Sequence, residues 1–440
     1  MSLAVTPISR WLMRSVTVLA AALLPITPAA AAEPPALPKR ISMVTTVEGI
    51  TEYRLDNGLR ILLAPDASKP TTTVNMTYLV GSRHENYGET GMAHLLEHLL
   101  FKGTPTIRNA LGEFSRRGMQ ANGSTWVDRT NYYASFAADP DNLDWYLGWQ
   151  ADAMVNSLIA RADLDSEMTV VRNEMESGEN NPFRVLMSKM QAVAYQWHNY
   201  GKTTIGARSD VENVNIERLQ AFYRRYYQPD NAVLIVSGKF DPTATLTTIE
   251  RVFSAIPKPE RELPPLYTEE PVQDGERSVT LRRSGGVPLL AALYHSPPGS
   301  HPDAAAMDLL ATILTDTPSG RLYKSLVETN LAASVFGFTM ALHDPGTSLF
   351  GVQLAPGADP APARDAMLKT LETLREHPIT EEELKRARTR WLKDWDRIYA
   401  DPQRVGVSLS ESIATGDWRL FFKARDWVRE TELEAVQRVA

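Results

Sequence analysis

Cysteine is absent from the 440-residue sequence, which excludes disulfide bonds and a lipid anchor attached through a cysteine. The folded protein must therefore be stable through its core alone. The composition allows this, because 43% of the residues are hydrophobic and 22% are charged, as in ordinary globular proteins. A chain of this length is long enough for two or three domains.

Basic clusters and nucleotide-binding glycine motifs are absent as well. The formal net charge is −7, whereas nucleic-acid binding depends on lysine and arginine side chains that neutralise phosphates. No P-loop or dinucleotide-binding glycine pattern follows a predicted strand. The sequence therefore predicts a protein that does not bind nucleic acid.

Long hydrophobic runs are rare, and the one near the N-terminus has the features of a leader. Arg10 and Arg14 precede an apolar run over residues 16–24, and small residues follow up to Ala32. This pattern predicts a signal peptide over residues 1–32, cleaved near Ala32, and a periplasmic or secreted protein. A membrane anchor is the alternative, but the run is shorter than the roughly 20 residues that span a bilayer. Without this leader the net charge falls from −7 to −9, because it carries two arginines and no acidic residue.

Beyond the leader, the sequence pattern predicts two α+β repeats joined by a linker. The first repeat, residues 45–253, alternates short strands with long helical patterns and closes with the buried strand "NAVLIVSGKFDP". The linker, residues 254–276, contains five prolines and many charges, as extended segments do. The second repeat, residues 277–440, restarts with the strand-like "RSVTLRR" and "VPLLAALYHSPPG". It ends at "ELEAVQRVA" without a counterpart of the last strand, so either the sequence is truncated or this repeat closes differently.

The segment "GMAHLLEHLLFKG" places two of the eight histidines and a glutamate on one predicted apolar helix. His94 and His98 are one turn apart on the same face, and Glu97 projects beside them. Two such imidazoles can bind zinc together with a third ligand, usually a carboxylate. A nearby carboxylate can then act as the general base toward the water that zinc activates, and Glu97 suits that role. The alternative is two core histidines satisfied by backbone groups and a solvated glutamate.

The longer segment "VGSRHENYGETGMAHLLEHLLFKGT" resembles the active-site segment of the pitrilysin/insulinase metallopeptidases, the inverzincins, which carry H-x-x-E-H. The resemblance covers nearly all of the mature chain and is to the zinc-bearing subunit of the processing-peptidase-like branch. It implies two homologous α/β-sandwich repeats, each a mixed sheet packed with helices, that face each other across a closed cavity. It also implies one zinc ion per chain, bound by the first repeat, and hydrolysis of peptide bonds.

The resemblance assigns the third zinc ligand to the segment "SEMTVVRNEMESGENNP". Glu174 has the family's spacing from His98, and Glu167 lies two helical turns before it on the same face. Glu167 matches the family's second acidic residue, which supports the zinc ligands without binding the metal itself. Glu176 is the rival ligand, but its spacing from Glu167 puts it on a different face of the helix.

A third matching segment is "GMQANGSTWVDRTNYY", which is similar to the family's edge strand that pairs with the substrate main chain. The resemblance assigns substrate binding to Asn122, Gly123, Ser124 and Thr125, with Gly123 in place of the usual alanine. Asn122 is expected near the scissile carbonyl. The alternative is an edge strand without a binding role.

The second repeat departs from the family, whose active members carry an arginine and, seven residues later, a tyrosine that hold the substrate. We call this pair the substrate clamp. In "SGRLYKSLVETNLAASV", Val327 and Ala333 stand at the two positions, while Arg321 and Tyr323 match earlier structural positions. The second repeat also lacks the histidine motif, so we expect it to be inactive.

The sequence therefore predicts a zinc endopeptidase that cleaves peptides or unfolded segments inside a closed chamber. We expect it to be the catalytic subunit of a heterodimer, with a homologous partner that supplies the substrate clamp. A self-sufficient enzyme that uses Arg321 and Tyr323 is one alternative. A non-catalytic subunit that binds peptides or supports assembly is the other.

Overall fold

The computed structural model describes residues 37–284 and 286–440. The predicted signal peptide, residues 1–32, lies outside the described residues, so its cleavage and the periplasmic location remain predictions. Residues Leu37–Ala440 form one compact unit. None of the described helices is long and apolar enough to cross a membrane.

The first half is built on a seven-stranded mixed sheet with the strand order β1-β2-β3-β7-β4-β6-β5. Strands β3 and β7 pair in parallel, and the other neighbours pair antiparallel. The strands are β1 (Ile41–Val47), β2 (Ile50–Leu55), β3 (Arg60–Pro65), β4 (Thr71–Tyr78), β5 (Gln120–Thr125), β6 (Thr130–Ala137) and β7 (Ala232–Gly238).

Helices pack on the apolar face of this sheet, where Val74, Met76 and Tyr78 of β4 are fully buried. Several helices begin at an aspartate or asparagine whose side chain accepts a backbone N–H, as at Asp139 and Asn215. The helices are α1 (Met92–Leu100), α2 (Ala110–Arg116), α3 (Pro140–Asn156), α4 (Arg161–Glu179), α5 (Pro182–Ala194), α6 (Arg208–Glu212), α7 (Ile216–Tyr226) and α8 (Pro242–Phe253).

The second half contains a three-stranded antiparallel sheet with the order β8-β10-β9, which repeats the order β4-β6-β5 of the first sheet. This repetition confirms the predicted fold class, two α/β repeats with helices packed on sheets. The elements are β8 (Leu289–Ser296), α9 (Asp303–Thr315), β9 (Ser334–Met340), β10 (Gly346–Gln353), α10 (Pro360–Glu372), α11 (Glu381–Tyr399), α12 (Pro402–Thr415), α13 (Leu420–Glu430) and α14 (Leu433–Val439).

The prediction that "RSVTLRR", residues 277–283, forms a strand was wrong. The described chain has neither helix nor strand between Phe253 and Leu289, so the irregular segment extends beyond the predicted linker, residues 254–276. The Arg277 guanidinium donates to the carbonyls of Val193 and Ala194. The segment thus follows the end of α5 and does not join the sheet.

The two halves are interleaved, because each sheet is covered by a helix from the other half. Helix α12 packs on β4 and β7 of the first sheet, and α5 packs on β8 of the second. The face of β4 that meets α12 is polar, and the Asn75 amide donates to the Gly406 carbonyl at 2.9 Å and the Ser410 hydroxyl at 2.7 Å. The Thr77 hydroxyl also bonds Ser410 at 3.0 Å. Helix α12 therefore buries these polar groups and also supplies hydrogen-bond partners to them.

A second contact between the halves is centred on Arg83, in the loop before α1. Its guanidinium lies 2.9 Å from the Asp128 carboxylate and 2.5 Å from that of Asp344 in the second half. The Tyr200 hydroxyl donates to Asp128 at 2.8 Å, and the backbone N–H of Asp344 donates to that hydroxyl at 3.1 Å. This network ties the turn between β5 and β6 to the second half.

The close approach of α12 to the first sheet requires the glycine at position 406. A Cβ there would lie 2.3 Å from the Ser237 hydroxyl oxygen, which donates to the Pro402 carbonyl at 2.8 Å. We expect Gly406→Ala to lower the free energy of unfolding by about 1–3 kcal/mol through overpacking. Urea unfolding of the purified protein measures this change.

Gly148→Ala in α3 is the matched control, because nothing lies within 4 Å of a Cβ at that position. Alanine is the better helix former by up to ~1 kcal/mol, so this variant should be as stable as wild type or more stable. Equal stability of the Gly406→Ala and Gly148→Ala variants would show that α12 does not need its close contact.

Candidate metal centre

Helix α1 is held in place from its N-terminus and along its apolar face. The buried carboxylate of Glu85 accepts the backbone N–H groups of Gly91 and Ala93, each at 2.8 Å, and an acidic group stabilises a helix at this end. The apolar face is buried in the first-half core, whereas His94, Glu97 and His98 are half-buried. The buried residues are Met92, Ala93, Leu95, Leu96, Leu99 and Leu100.

The structure brings His94, His98 and Glu174 together between α1 and α4. The Nε2 atoms of the two histidines are 3.3 Å apart. The Oε2 atom of Glu174 is 3.5 Å from each of them. These three atoms are the donor groups that a metal ion needs, and they form a nearly equilateral triangle.

This triangle fits zinc. Zinc bonds of about 2.0–2.1 Å in a tetrahedron place neighbouring ligand atoms roughly 3.3–3.4 Å apart. Burial and the neighbouring His98 lower the pKa of His94 to about 4, so its imidazole is neutral at pH 7, the form that binds metals. Glu176, the rival ligand, is exposed and lies outside this group.

Glu167 lies behind the histidines, on the same helix as Glu174. Its Oε1 atom is 3.0 Å from Nδ1 of His98, and Lys102 forms an ion pair with its Oε2 atom. A carboxylate at the far nitrogen of a ligating imidazole fixes the tautomer and the ring orientation. Glu167 and Lys102 therefore orient His98 toward the triangle.

Glu97 lies beside the triangle and is not part of it. Its Oε2 atom accepts a hydrogen bond from the Thr125 hydroxyl at 2.6 Å. Burial raises the pKa of Glu97, although the hydrogen bond from Thr125 opposes the rise. A raised pKa makes a carboxylate a better proton acceptor near neutral pH.

Strand β5 lies at the edge of the first sheet and pairs only with β6 among the described strands. Asn122 is exposed and faces the same cleft as Glu97. The carbonyl and hydroxyl of Ser124 both accept from the Arg129 guanidinium at 2.9 Å. The outer edge of β5 is therefore open beside the metal site. The side chains of Ser124 and Thr125 form hydrogen bonds with Arg129 and Glu97 of the same protein.

The site opens into a cleft of about 580 Å³. Among the residues that the structure describes, every one that lines it belongs to the first half, and none of the second half does. The lining residues are His94, Glu97, His98, Phe101, Lys102, Arg108, Asn109, Leu111, Asn122, Asp163, Glu167 and Glu174.

The sequence analysis did not identify Lys102 and Arg129. Lys102 follows His98 by four residues, a spacing that places both side chains on one side of the chain at a helix end, and this spacing could have identified it. Arg129 binds Ser124 and, in α12, Glu411. No local pattern indicates the contact with Glu411, because Arg129 and Glu411 are 282 residues apart in the sequence.

Comparisons with known proteins agree with this geometry. Residues 60–208 match the family model described as Insulinase (Peptidase family M16), and residues 213–390 match the Peptidase M16 inactive domain. The chain is 31% identical to the zinc protease PqqE of Helicobacter pylori over 350 residues, which is 78% of each protein.

Two further relatives span most of the described chain. The crystal structure of a protease from Helicobacter pylori has a TM-score of 0.83 and 26% identity, covering 91% of this chain and 95% of that one. The probable mitochondrial-processing peptidase subunit beta of Arabidopsis thaliana is 26% identical over 318 residues, covering 69% of this chain and 59% of that protein. These findings confirm the resemblance drawn from the motifs, and the chain belongs to the insulinase family, peptidase family M16.

Proposed function

We propose that this chain is the catalytic subunit of a zinc-dependent endopeptidase that cleaves peptides or unfolded segments. His94, His98 and Glu174 would hold one zinc ion per chain, and the spacing of 3.3–3.5 Å among their donor atoms is the observation that carries the proposal. When bound, zinc supplies Lewis-acid chemistry, which polarises the scissile carbonyl and lowers the pKa of water. The relatives named zinc proteases support the same metal.

Glu97 is the general base in this proposal. Its carboxylate lies beside the ligands in a half-buried position, where it can take a proton from the attacking water and pass it to the leaving amine. Glu167 keeps the His98 ring in one orientation while this happens. Asn122 is close enough to the cleft to contact the scissile carbonyl region.

The open edge of β5 supports a substrate held in an extended conformation. Main-chain hydrogen bonds to a strand edge give affinity with little demand on side-chain identity. In this proposal the main chain of residues 122–125 pairs with the peptide, which suits unfolded segments and not folded proteins. The side chain of Thr125 is already used by Glu97, so its contribution to substrate binding is through the main chain.

The absence of a substrate clamp from its usual positions supports a partner subunit. Val327 packs against the second-half core, and Ala333 is an exposed alanine. Arg321 is held by both carboxylate oxygens of Glu383, at 2.7 Å each, and by two further carbonyls. An arginine engaged in this way is not available to a substrate.

We therefore infer that a homologous partner supplies the arginine and tyrosine and closes the cleft. Within the described part of the chain the cleft is lined by first-half residues alone, so a chamber needs a further surface. The relative named as a processing peptidase subunit beta is by its name part of a larger enzyme. We also propose that the protein acts in the periplasm or outside the cell, on the pattern of residues 1–32.

The zinc assignment predicts a difference between two neighbouring glutamates. Glu174→Gln should weaken zinc binding by more than about 100-fold, because it removes a ligand, whereas losing a supporting group costs 10–100-fold. Glu176→Gln is the matched control and should bind zinc as wild type does, since Glu176 is exposed and outside the group. Competition with a zinc-sensitive dye measures both affinities. Equal affinities would refute Glu174 as the ligand.

The partner assignment predicts little peptide cleavage by the isolated chain and a large gain on mixing with the partner. Misplacing a substrate by about 1 Å costs ~100-fold in rate, so a chain without the clamp should be at least that much slower. Cleavage of a quenched peptide library, with and without a homologous protein that carries the arginine and tyrosine, measures this gain. The Glu97→Gln variant in the mixture should be inactive while retaining zinc.

Three outcomes would contradict the proposal. Full activity of the isolated chain at all protein concentrations would show that no partner is needed, and activity that rises with concentration would identify a second copy as the partner. Peptide binding without cleavage in every mixture would favour the non-catalytic subunit.

A further inference from the structure

Two residues on the inner side of β5 face the general base. Gly123 and Thr125 are two positions apart, so they lie on the same face of the strand. The Thr125 hydroxyl donates to Oε2 of Glu97 at 2.6 Å. Among the described residues, Thr125 is the one hydrogen-bond partner of this carboxylate.

Gly123 allows the strand to come this close. A Cβ at position 123 would lie 2.9 Å from Cγ of Glu97 and 3.1 Å from its Oε1 atom. It would also lie 3.1 Å from the Phe101 ring. Any side chain at this position therefore forces the strand or the glutamate to shift, and the present arrangement depends on the glycine.

A glutamate needs such a support because its side chain is long and rotates freely. Ordering a glutamate side chain costs conformational entropy, because several rotatable bonds must be fixed. A hydrogen bond to one carboxylate oxygen fixes the rotamer and leaves the other oxygen free. In this structure Oε2 is held and Oε1 is the free oxygen.

The strand that carries Thr125 is itself fixed from the second half. Arg129 binds the Ser124 carbonyl at 2.9 Å, and its guanidinium also bonds Glu411 of α12 at 3.0 Å. Ser124, the residue before Thr125, is thereby linked to α12, the helix that covers the first sheet. This support keeps the Thr125 hydroxyl at a constant position relative to α1.

We infer that Thr125 is a positioning residue that fixes Glu97 so that its Oε1 atom accepts the proton. Strand β5 then has two roles, since its outer edge receives the substrate main chain and its inner face holds the base. The inference rests on the proposed peptidase function. In this inference the Thr125 side chain positions Glu97 and does not contact the substrate.

Three variants of the full chain, assayed with the partner when activity requires it, test this role. Thr125→Val keeps the shape and removes the donor, so kcat should fall about 10- to 100-fold, as expected for a displaced catalytic group. KM and zinc content should not change. Thr125→Ser restores the hydroxyl and should recover kcat to within a few-fold of wild type.

Thr130→Val is the matched control, because Thr130 lies opposite Thr125 in the β5–β6 pair and its hydroxyl donates to the Val80 carbonyl. It loses a buried hydroxyl without contact to Glu97 and should keep the wild-type kcat. A wild-type kcat in the Thr125→Val variant would overturn the inference. It would also be overturned if Thr125→Ser lost as much kcat as Thr125→Val. The same holds if Thr130→Val lost as much kcat as Thr125→Val.

Crystal structures of the zinc-loaded wild type and Thr125→Val protein separate this inference from the proposed function. The Glu97 carboxylate should leave its position in the variant. An unchanged carboxylate would overturn the positioning role whatever the activity. A wild type that cleaves no peptide, with or without partner, would refute the peptidase function and leave the crystallographic comparison as the test of Thr125.

Discussion

The rest of the site depends on the close approach of α1 and α4, which holds two imidazoles and a carboxylate within 3.5 Å of one another. Such crowding has a cost, because burial and, to a smaller extent, the negative charge of Glu174 raise the pKa of nearby Glu97. The core side of α1 offsets this cost with six buried apolar residues. The Glu85 cap and the Glu167–Lys102 ion pair add directional contacts at either end. A zinc ion would remove the repulsion at the centre of an arrangement that packing has already formed.

The second half has no metal motif, yet the first half depends on it. Helix α12 covers the polar face of the first sheet, and the buried amide of Asn75 finds its partners there. Asn75 and Thr77 are buried under α12 and form hydrogen bonds with it, so a helix of the second half completes the polar face of the first sheet. The same helix also reaches the edge strand β5, because Glu411 binds Arg129, which binds Ser124. Residues 213–390 match the Peptidase M16 inactive domain. A structural role for the second half is compatible with that match, since packing on the first half requires no catalytic residue.

Much of this architecture could be predicted because it is local. The helical spacing of His94 and His98 and the apolar run of β7 each lie within a few residues. The strand prediction for "RSVTLRR" was wrong because it relied on local sequence alone. Its residues suit a strand, but a strand also needs a neighbouring strand to pair with, and this segment lies along the end of α5. Segment composition does not specify such a partner.

The sequence by itself determined the candidate site residues: two histidines and a glutamate on one helix, two further glutamates at helical spacing on another, and an edge strand. It also indicated the family, because these motifs are specific. Only the tertiary structure decided that Glu174 joins the histidines while Glu176 lies outside their group, that Thr125 holds Glu97, and that Arg321 is engaged by Glu383. The reason is physical. Periodicity gives the face of a helix or strand, but contacts across 28 or 62 residues of chain depend on how those faces pack.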